Sequence, residues 1–417
     1  MALGCLLGCD QATPAAPGAT GPPPHVVWTY PANEATDVPL TFSIRVQFDR
    51  FLMPSTATRQ SLCLQAATVG GESTGTDQCI SAGFAPEYDP VDRVATWVIR
   101  GAIAEQTRYN VRLFAPKDAR DANGVRAFDG TPLEKEFTFA FATRKKPDPP
   151  DPLEPARTLD FCPAHCPLPD GRCDEPMAVP MTSSPHAFLA NNCTSGGNCH
   201  GGGGGAQGPS GSVLRLDDDG AGGGLVAAVR HLVDHAVVAS ETATGPDPVT
   251  PSRNVLAPFG HNMPYIDATN PGNSFLLYKM ILAMAPRCPF DPNEESATHT
   301  DLACDPSAYA RWRYAQDFYD CRIIRDAGLG RDPLDNCPSD GGFPPLPKIG
   351  QKGELISPLL EPRVPTDAWQ PPARGEYDRL RTRIRGAGMP QGGLVSHAEA
   401  LAMSAWIADG ARVEPCP

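Results

Sequence analysis

The sequence predicts a multidomain chain: an all-β sandwich, a proline-rich spacer, then a mainly α, loop-rich, disulfide-rich domain. Three observations predict it. Apolar residues recur with period two in short runs over residues 25–143, the signature of strands with one buried face. Prolines crowd residues 144–160, which makes a semi-rigid extended spacer and the clearest boundary in the chain. Most of the 14 cysteines fall after that spacer, without the tight paired spacing of a zinc site, which points to an oxidising compartment.

The strand reading rests on named runs. Phe42, Ile44, Val46 and Phe48 alternate with polar or small residues, as do Trp97 with Ile99, Tyr109 with Val111 and Leu113, and Phe137 with Phe139 and Phe141. Turn residues separate them: Pro31-Ala32-Asn33, Ala122-Asn123-Gly124 and Asp129-Gly130. The order of motifs resembles the bacterial Ig-like domain of S-layer and other surface proteins. The carrying residues are the opening turn Pro31 to Val38, the strand Ile44-Arg45-Val46-Gln47-Phe48, the strand Thr107 to Val111, the turn Asp121 to Gly124 and the closing strand Phe139 to Thr143. The resemblance implies a spacer or adhesion role without catalysis. Cys63 and Cys79 stand alone in this region and are expected to pair.

Composition narrows the function classes. Hydrophobic residues make up 41% and charged residues 20% of the 417, enough for real cores. No stretch approaches the roughly 18–20 apolar residues that a spanning helix needs. The net charge is −13, and Arg144-Lys145-Lys146 is the one basic cluster, which argues against a nucleic-acid partner. No Gly-x-Ser-x-Gly, phosphate loop or dinucleotide fingerprint is present, and no catalytic residues are expected.

At the N-terminus, Leu6-Leu7-Gly8-Cys9 resembles a bacterial lipobox, with Ala2-Leu3-Gly4-Cys5 close to it; only a stub of a signal peptide precedes them. The resemblance implies lipidation at Cys9, residues 1–24 as signal remnant and tether, and a lipid-anchored location in the cell envelope, periplasmic or on the outer membrane.

The chemistry of residues 161–417 centres on Cys193-Thr194-Ser195-Gly196-Gly197-Asn198-Cys199-His200. A c-type haem site needs two thiols for its vinyl groups and a His after the second, so that the imidazole reaches the iron. The usual spacing is two residues between the cysteines; here it is five, although the Cys199-His200 adjacency is intact. Leu214 to Leu216, Pro271 to Met280, Gly388-Met389-Pro390-Gln391-Gly392-Gly393 and Trp406 to Ala411 follow in order. This series resembles the cytochrome c-like domains of planctomycete and myxobacterial surface proteins, interrupted here by an insertion at about 284–380. The resemblance implies covalent haem c on Cys193 and Cys199, with iron held by His200 and Met389. It also implies electron transfer to a redox partner protein or an envelope component. Met263 is a rival ligand. The alternative is a haem-free structural or binding lipoprotein in which Cys193 and Cys199 form a disulfide.

Smaller features complete the reading. Ser396 and Glu399 form a capping box for a last helix that Gly410 stops, with Trp406 expected near the haem edge. His231 and His235 fall one turn apart on a helix expected over residues 225–239; such a pair can hold zinc, but the sequence offers no third ligand. Asp217-Asp218-Asp219-Gly220 reads as a polar turn, with calcium the less expected use. Cys162, Cys166, Cys173, Cys288, Cys304, Cys321, Cys337 and Cys416 are even in number, consistent with four further disulfides whose pairing stays open. A zinc knuckle at Cys162, His165, Cys166 and Cys173 is the lesser alternative.

Overall fold

A computed structural model describes residues 21–69, 72–73, 79–80, 84–99, 103–117, 121, 123–145, 185–189, 224–237, 259–260, 263–284, 363–365, 367–373, 375–384, 388–389, 395 and 397–413. Cys5, Cys9, Cys193, Cys199, His200, the spacer beyond residue 145, Asp217 to Gly220 and the remaining eight cysteines lie outside them. So does Ser396 of the capping box.

The N-terminal third is a two-layer β-sandwich. One sheet has the order β1 (Val26–Tyr30), β3 (Ser43–Phe48), β7 (Val94–Ile99), β6 (Phe84–Asp89); the other runs β2 (Ala35–Val38), β9 (Phe137–Thr143), β8 (Thr107–Leu113), β4 (Leu62–Val69), β5 (Glu72–Ser73). All pairings are antiparallel except β2 with β9. Strand β8 shows the predicted alternation: Thr107, Tyr109, Val111 and Leu113 point inward while Arg108, Asn110 and Arg112 point out. The inner faces meet in a core of Ile44, Val46, Phe48, Trp97, Val111, Phe139 and Phe141. Tyr109 stacks on Phe141 at 5.6 Å and Phe42 meets its edge at 5.3 Å. Cys63 and Cys79 are joined in a disulfide, as expected. Gly124, at φ +93°, closes the turn that begins at Asp121; a Cβ there would lie 2.7 Å from the Phe114 carbonyl oxygen, so the turn requires glycine.

The helical part contains α1 (Pro185–Leu189), α2 (Gly224–Asp234), α3 (Phe275–Met284), α4 (Glu376–Arg381) and α5 (His397–Ala408). Helix α3 is buried along nearly its whole length, and α1 and α3 both pack on α5. The end of α5 is a Schellman closure: Ala411 N–H reaches the Trp406 carbonyl at 2.9 Å and Gly410 N–H that of Ile407 at 3.0 Å, with Gly410 at φ +98°. Helix α2 is shorter than the expected span of residues 225–239. Ala236, at φ +43°, turns the chain out, and Val237 and Ala236 close on the Leu232 and Val233 carbonyls. The segment read as an insertion is built into this body at its C-terminal end: Val364, Trp369 and Leu380 are all core residues.

Strand β3 departs from the period-two expectation in one respect. All six residues are buried, including Ser43, Arg45 and Gln47 on the face that alternation would give to water. The reason is that the helical part covers this sheet. Phe51, Val91, Val94 and Phe128 of the sandwich share one apolar cluster with Phe259, Tyr278, Leu380 and Trp406. Each such side chain withdrawn from water contributes about 1.5–3 kcal/mol. The sandwich and the helical part therefore share a packed interface.

Candidate functional site

Each predicted site residue within the described part has a definite environment. Met389 is half-buried, and its N–H donates to the Lys279 carbonyl of α3 at 2.9 Å. Gly388, beside it, is pressed on the α3 backbone: a Cβ would stand 2.6 Å from the Leu282 carbonyl carbon. This loop is thus fixed against α3. Met263, by contrast, is 2% exposed within the apolar cluster, the setting of an ordinary core methionine. Trp406 is fully buried, and its indole N–H donates to the Arg412 carbonyl at 3.0 Å. His231 is exposed on α2, and His235 is exposed one residue past its end. Among the described residues no group of three or more His, Cys, Asp or Glu side chains converges as a metal site.

The densest chemistry lies where the sequence reading placed none: in the seam between sandwich and helical part. Its centre is Asp89-Pro90-Val91-Asp92-Arg93, the connection between β6 and β7. Asp89 and Asp92 are both fully buried. Asp89 accepts from its own turn at Val91 N (2.9 Å) and from the Ser404 hydroxyl (2.9 Å), and pairs with Arg363 Nε at 2.7 Å. The same Arg363 donates from Nη1 to Glu87 at 2.8 Å. Asp92 Oδ1 lies 2.6 Å from His397 Nε2 and accepts from the Trp369 indole at 3.1 Å. Its Oδ2 is buried without a hydrogen-bond partner among the described residues. Arg93 stacks over the Trp369 ring at 5.3 Å and donates to the Phe48 and Gln370 carbonyls.

Electrostatics follow from this crowding. Burial pushes the Asp89 carboxyl above its ordinary value, with Asp92 adding to the rise and Arg363 opposing it. Burial likewise raises the Tyr88 and Tyr278 phenols, which stay neutral. The Tyr88 hydroxyl accepts the Leu52 N–H at 2.8 Å. Ser404 donates to Asp89 while His397 engages Asp92, so these residues do not form the single relay that a Ser nucleophile requires. Their chemistry is that of a buried ionic clasp.

A second clasp lies nearby. Arg50 Nε contacts both oxygens of Glu376 at 3.1 and 3.0 Å, and its Nη2 meets Asp129 at 2.7 Å. Glu376 also accepts the Phe51 N–H at 3.0 Å and Arg379 Nε at 2.8 Å. The seam is closely fitted: a Cβ on Gly272 would meet Tyr88 Cδ1 at 2.7 Å and its carbonyl oxygen at 2.9 Å. Gly272→Ala is therefore expected to lower stability by about 1–3 kcal/mol, the usual cost of overpacking, read as a shifted urea midpoint. An unchanged midpoint would show that the two halves do not meet at Tyr88.

One further concavity, of about 520 Å3, lies on the outer face of the five-stranded sheet, lined by Gln65, Arg108, Asn110, Arg112 and Thr138 among others. Arg108 pairs with Glu34 there at 2.7 Å, both exposed, which reads as a solvated sheet face.

Comparison with known proteins bears on the first third of the chain. Residues 20–143 match the bacterial Ig-like domain family. The chain is also similar, over about a third of its length, to solved structures of surface layer protein SbsC. Domains 1–6 of that protein align at 15% identity over 34% of this chain and 17% of that chain, with a TM-score of 0.21. The N-terminal part of the bacterial S-layer protein SbsC aligns at 16% identity over 34% of this chain and 28% of that one, with a TM-score of 0.20. This chain thus spans well under a third of either. No curated protein matches the chain. The sequence held one local hint of the seam, the adjacent charges Asp92 and Arg93 between β6 and β7, and no sign of their partners.

Proposed function

We propose that this chain is an exported envelope protein in which an Ig-like sandwich holds a cytochrome c-like helical body in fixed orientation, and that the helical body carries a covalent haem for electron transfer. Lipidation at Cys9 would tether it, and the bacterial Ig-like family suits a surface location. No helix among the described residues is long and apolar enough to cross a membrane.

One observation carries the haem reading. Helix α1 packs on α5, α5 packs on α3, and α3 holds the Met389 loop by a backbone hydrogen bond. Cys193 follows Leu189 by four residues, so it starts within about 14 Å of that buried anchor. In this reading the Cys193 to His200 segment would meet the loop whose Met389 backbone is held on α3. The donor set also suits the group in kind: thiols at Cys193 and Cys199 for the vinyl groups, His200 and Met389 for the iron. Haem, when bound, supplies one-electron transfer at a potential that a thioether ligand raises. The chain's own contribution would be to hold the Met389 backbone through the Lys279 carbonyl.

The five-residue gap between Cys193 and Cys199 favours the alternative, a haem-free body with that pair as a disulfide. The test is expression in a periplasm equipped for haem attachment, followed by a reduced absorption spectrum and a denaturing gel stained for haem. A sharp reduced α-band and haem retained on the gel are expected. Met389→Ala should then keep haem on the gel but change the spectrum and lower the potential. A colourless protein overturns the haem reading and leaves a structural envelope protein.

A further inference from the structure

We propose that His231 and His235 form a surface chelate for a borderline divalent transition metal of the zinc, nickel or copper class. The inference is independent of the haem reading. Residues at i and i+4 on a helix lie on one face, one above the other. Here Val229 and Leu232 anchor α2 in the apolar cluster, and both His231 and His235 are left exposed. Their rings stand 4.4 Å apart, centroid to centroid, tilted by 37°.

Two details prepare the pair for a metal. His235 Nδ1 lies 3.1 Å from the His231 carbonyl oxygen. A carbonyl only accepts, so that nitrogen carries the proton and Nε2 keeps its lone pair outward. A backbone carbonyl behind the ring is the usual second partner of a metal-ligating imidazole. In addition, the Schellman closure through Ala236 and Val237 fixes the backbone at His235, where a helix end would otherwise fray. Metal–nitrogen bonds of about 2.0–2.1 Å put two ligating nitrogens roughly 3–3.5 Å apart, a separation compatible with ring centroids 4.4 Å apart. Imidazole donors select against calcium and magnesium, which take oxygen. The exposed Asp234 adds negative charge at the same turn. With two protein ligands the site is open, and the remaining positions go to water or to a partner's side chains.

The experiment is calorimetric titration of the untagged full chain with Zn2+ and separately with Cu2+, compared with His231→Ala, His235→Ala and the double variant. Because the cysteines and other histidines also bind metals, the quantity read is the equivalent lost on substitution. One equivalent is expected to vanish in the double variant, and each single variant is expected to weaken it at least about tenfold, as loss of one arm of a chelate requires. Hydrogen exchange gives the second readout: metal should slow the amides of Ala236 and Val237 in the unmodified chain and not in His231→Ala. Unchanged stoichiometry in the double variant overturns the proposal. So does a smaller, equal loss in each single variant, which would mean two independent imidazoles.

Discussion

Arg50→Ala is expected to destabilise the protein by about 3–5 kcal/mol at neutral pH, the cost of removing one partner from a buried ion pair. The arginine side chain is fully buried between Asp129 of the sandwich and Glu376 of α4, themselves 2% and 0% exposed. Alanine strands two buried carboxylates at once and also removes the guanidinium from the face of Phe128, 5.6 Å away. Arg379 continues to serve Glu376, which keeps the loss within that range. The pH dependence has a defined sign. Burial raises the Glu376 carboxyl above 4.5, with Arg50 the largest opposing charge. Without Arg50 it rises further and takes a proton more readily. Asp129 is also buried, yet hydrogen bonds from Arg50 and from backbone amides hold it below 3.8. A depressed carboxylate stabilises above its unfolded value, and that contribution is lost as pH falls through the folded value. Both effects make the deficit largest at neutral pH and smaller in acid. Urea denaturation at pH 7 and pH 4 measures it. A deficit under about 1 kcal/mol at pH 7 would show that the seam does not form. Arg50→Met, which keeps volume, should recover little alone and much more when paired with Glu376→Gln and Asp129→Asn.

The sandwich was legible in the sequence because its signal is local. Tyr109, Val111 and Leu113 alternate as they must if one face of β8 is wet, and Gly124 and Gly130 stand where positive φ is needed. The seam was not legible, because its signal is not local. Arg45 and Gln47 read as solvent-facing residues of β3, and nothing near them announces that Gln370, more than 300 residues away, hydrogen-bonds Gln47. Arg363 sits in a proline-rich stretch that looks like a detachable insertion, yet it neutralises the β6–β7 connection. Buried polar residues carry the same letters as exposed ones; only the partner tells them apart. Helix α5 shows the intermediate case. Gly410 gave away its end, but its apolar residues run nearly all round, and that pattern fits burial on several sides without naming what covers each one.

Arg363→Ala carries the same order of loss, about 3–5 kcal/mol at pH 7, with a more diagnostic pH profile. Arg363 is the leading charge that lowers Asp89, against burial and against the neighbouring Asp92. The Asp89 carboxyl already lies above 3.8 in the folded protein, so the native state binds this proton more tightly than the unfolded chain does. Such a group contributes less stability as pH rises from 3.8 through the folded value, and the contribution is constant beyond it. Removing Arg363 moves the folded value higher and stretches this decline further up the pH scale. The variant should therefore approach the parent at acid pH, as Asp89 takes up its proton in both, and fall progressively below it as pH increases. Adding Asp89→Asn removes the charge that Arg363 neutralises. The double variant should regain at least half of the loss at pH 7 and lose the extra pH dependence. A parallel pair of stability curves would mean that Asp89 is not the group Arg363 serves. In that case Glu87, 2.8 Å from the same guanidinium and 9% exposed, becomes the partner, and Glu87→Gln rather than Asp89→Asn would be the change that restores stability.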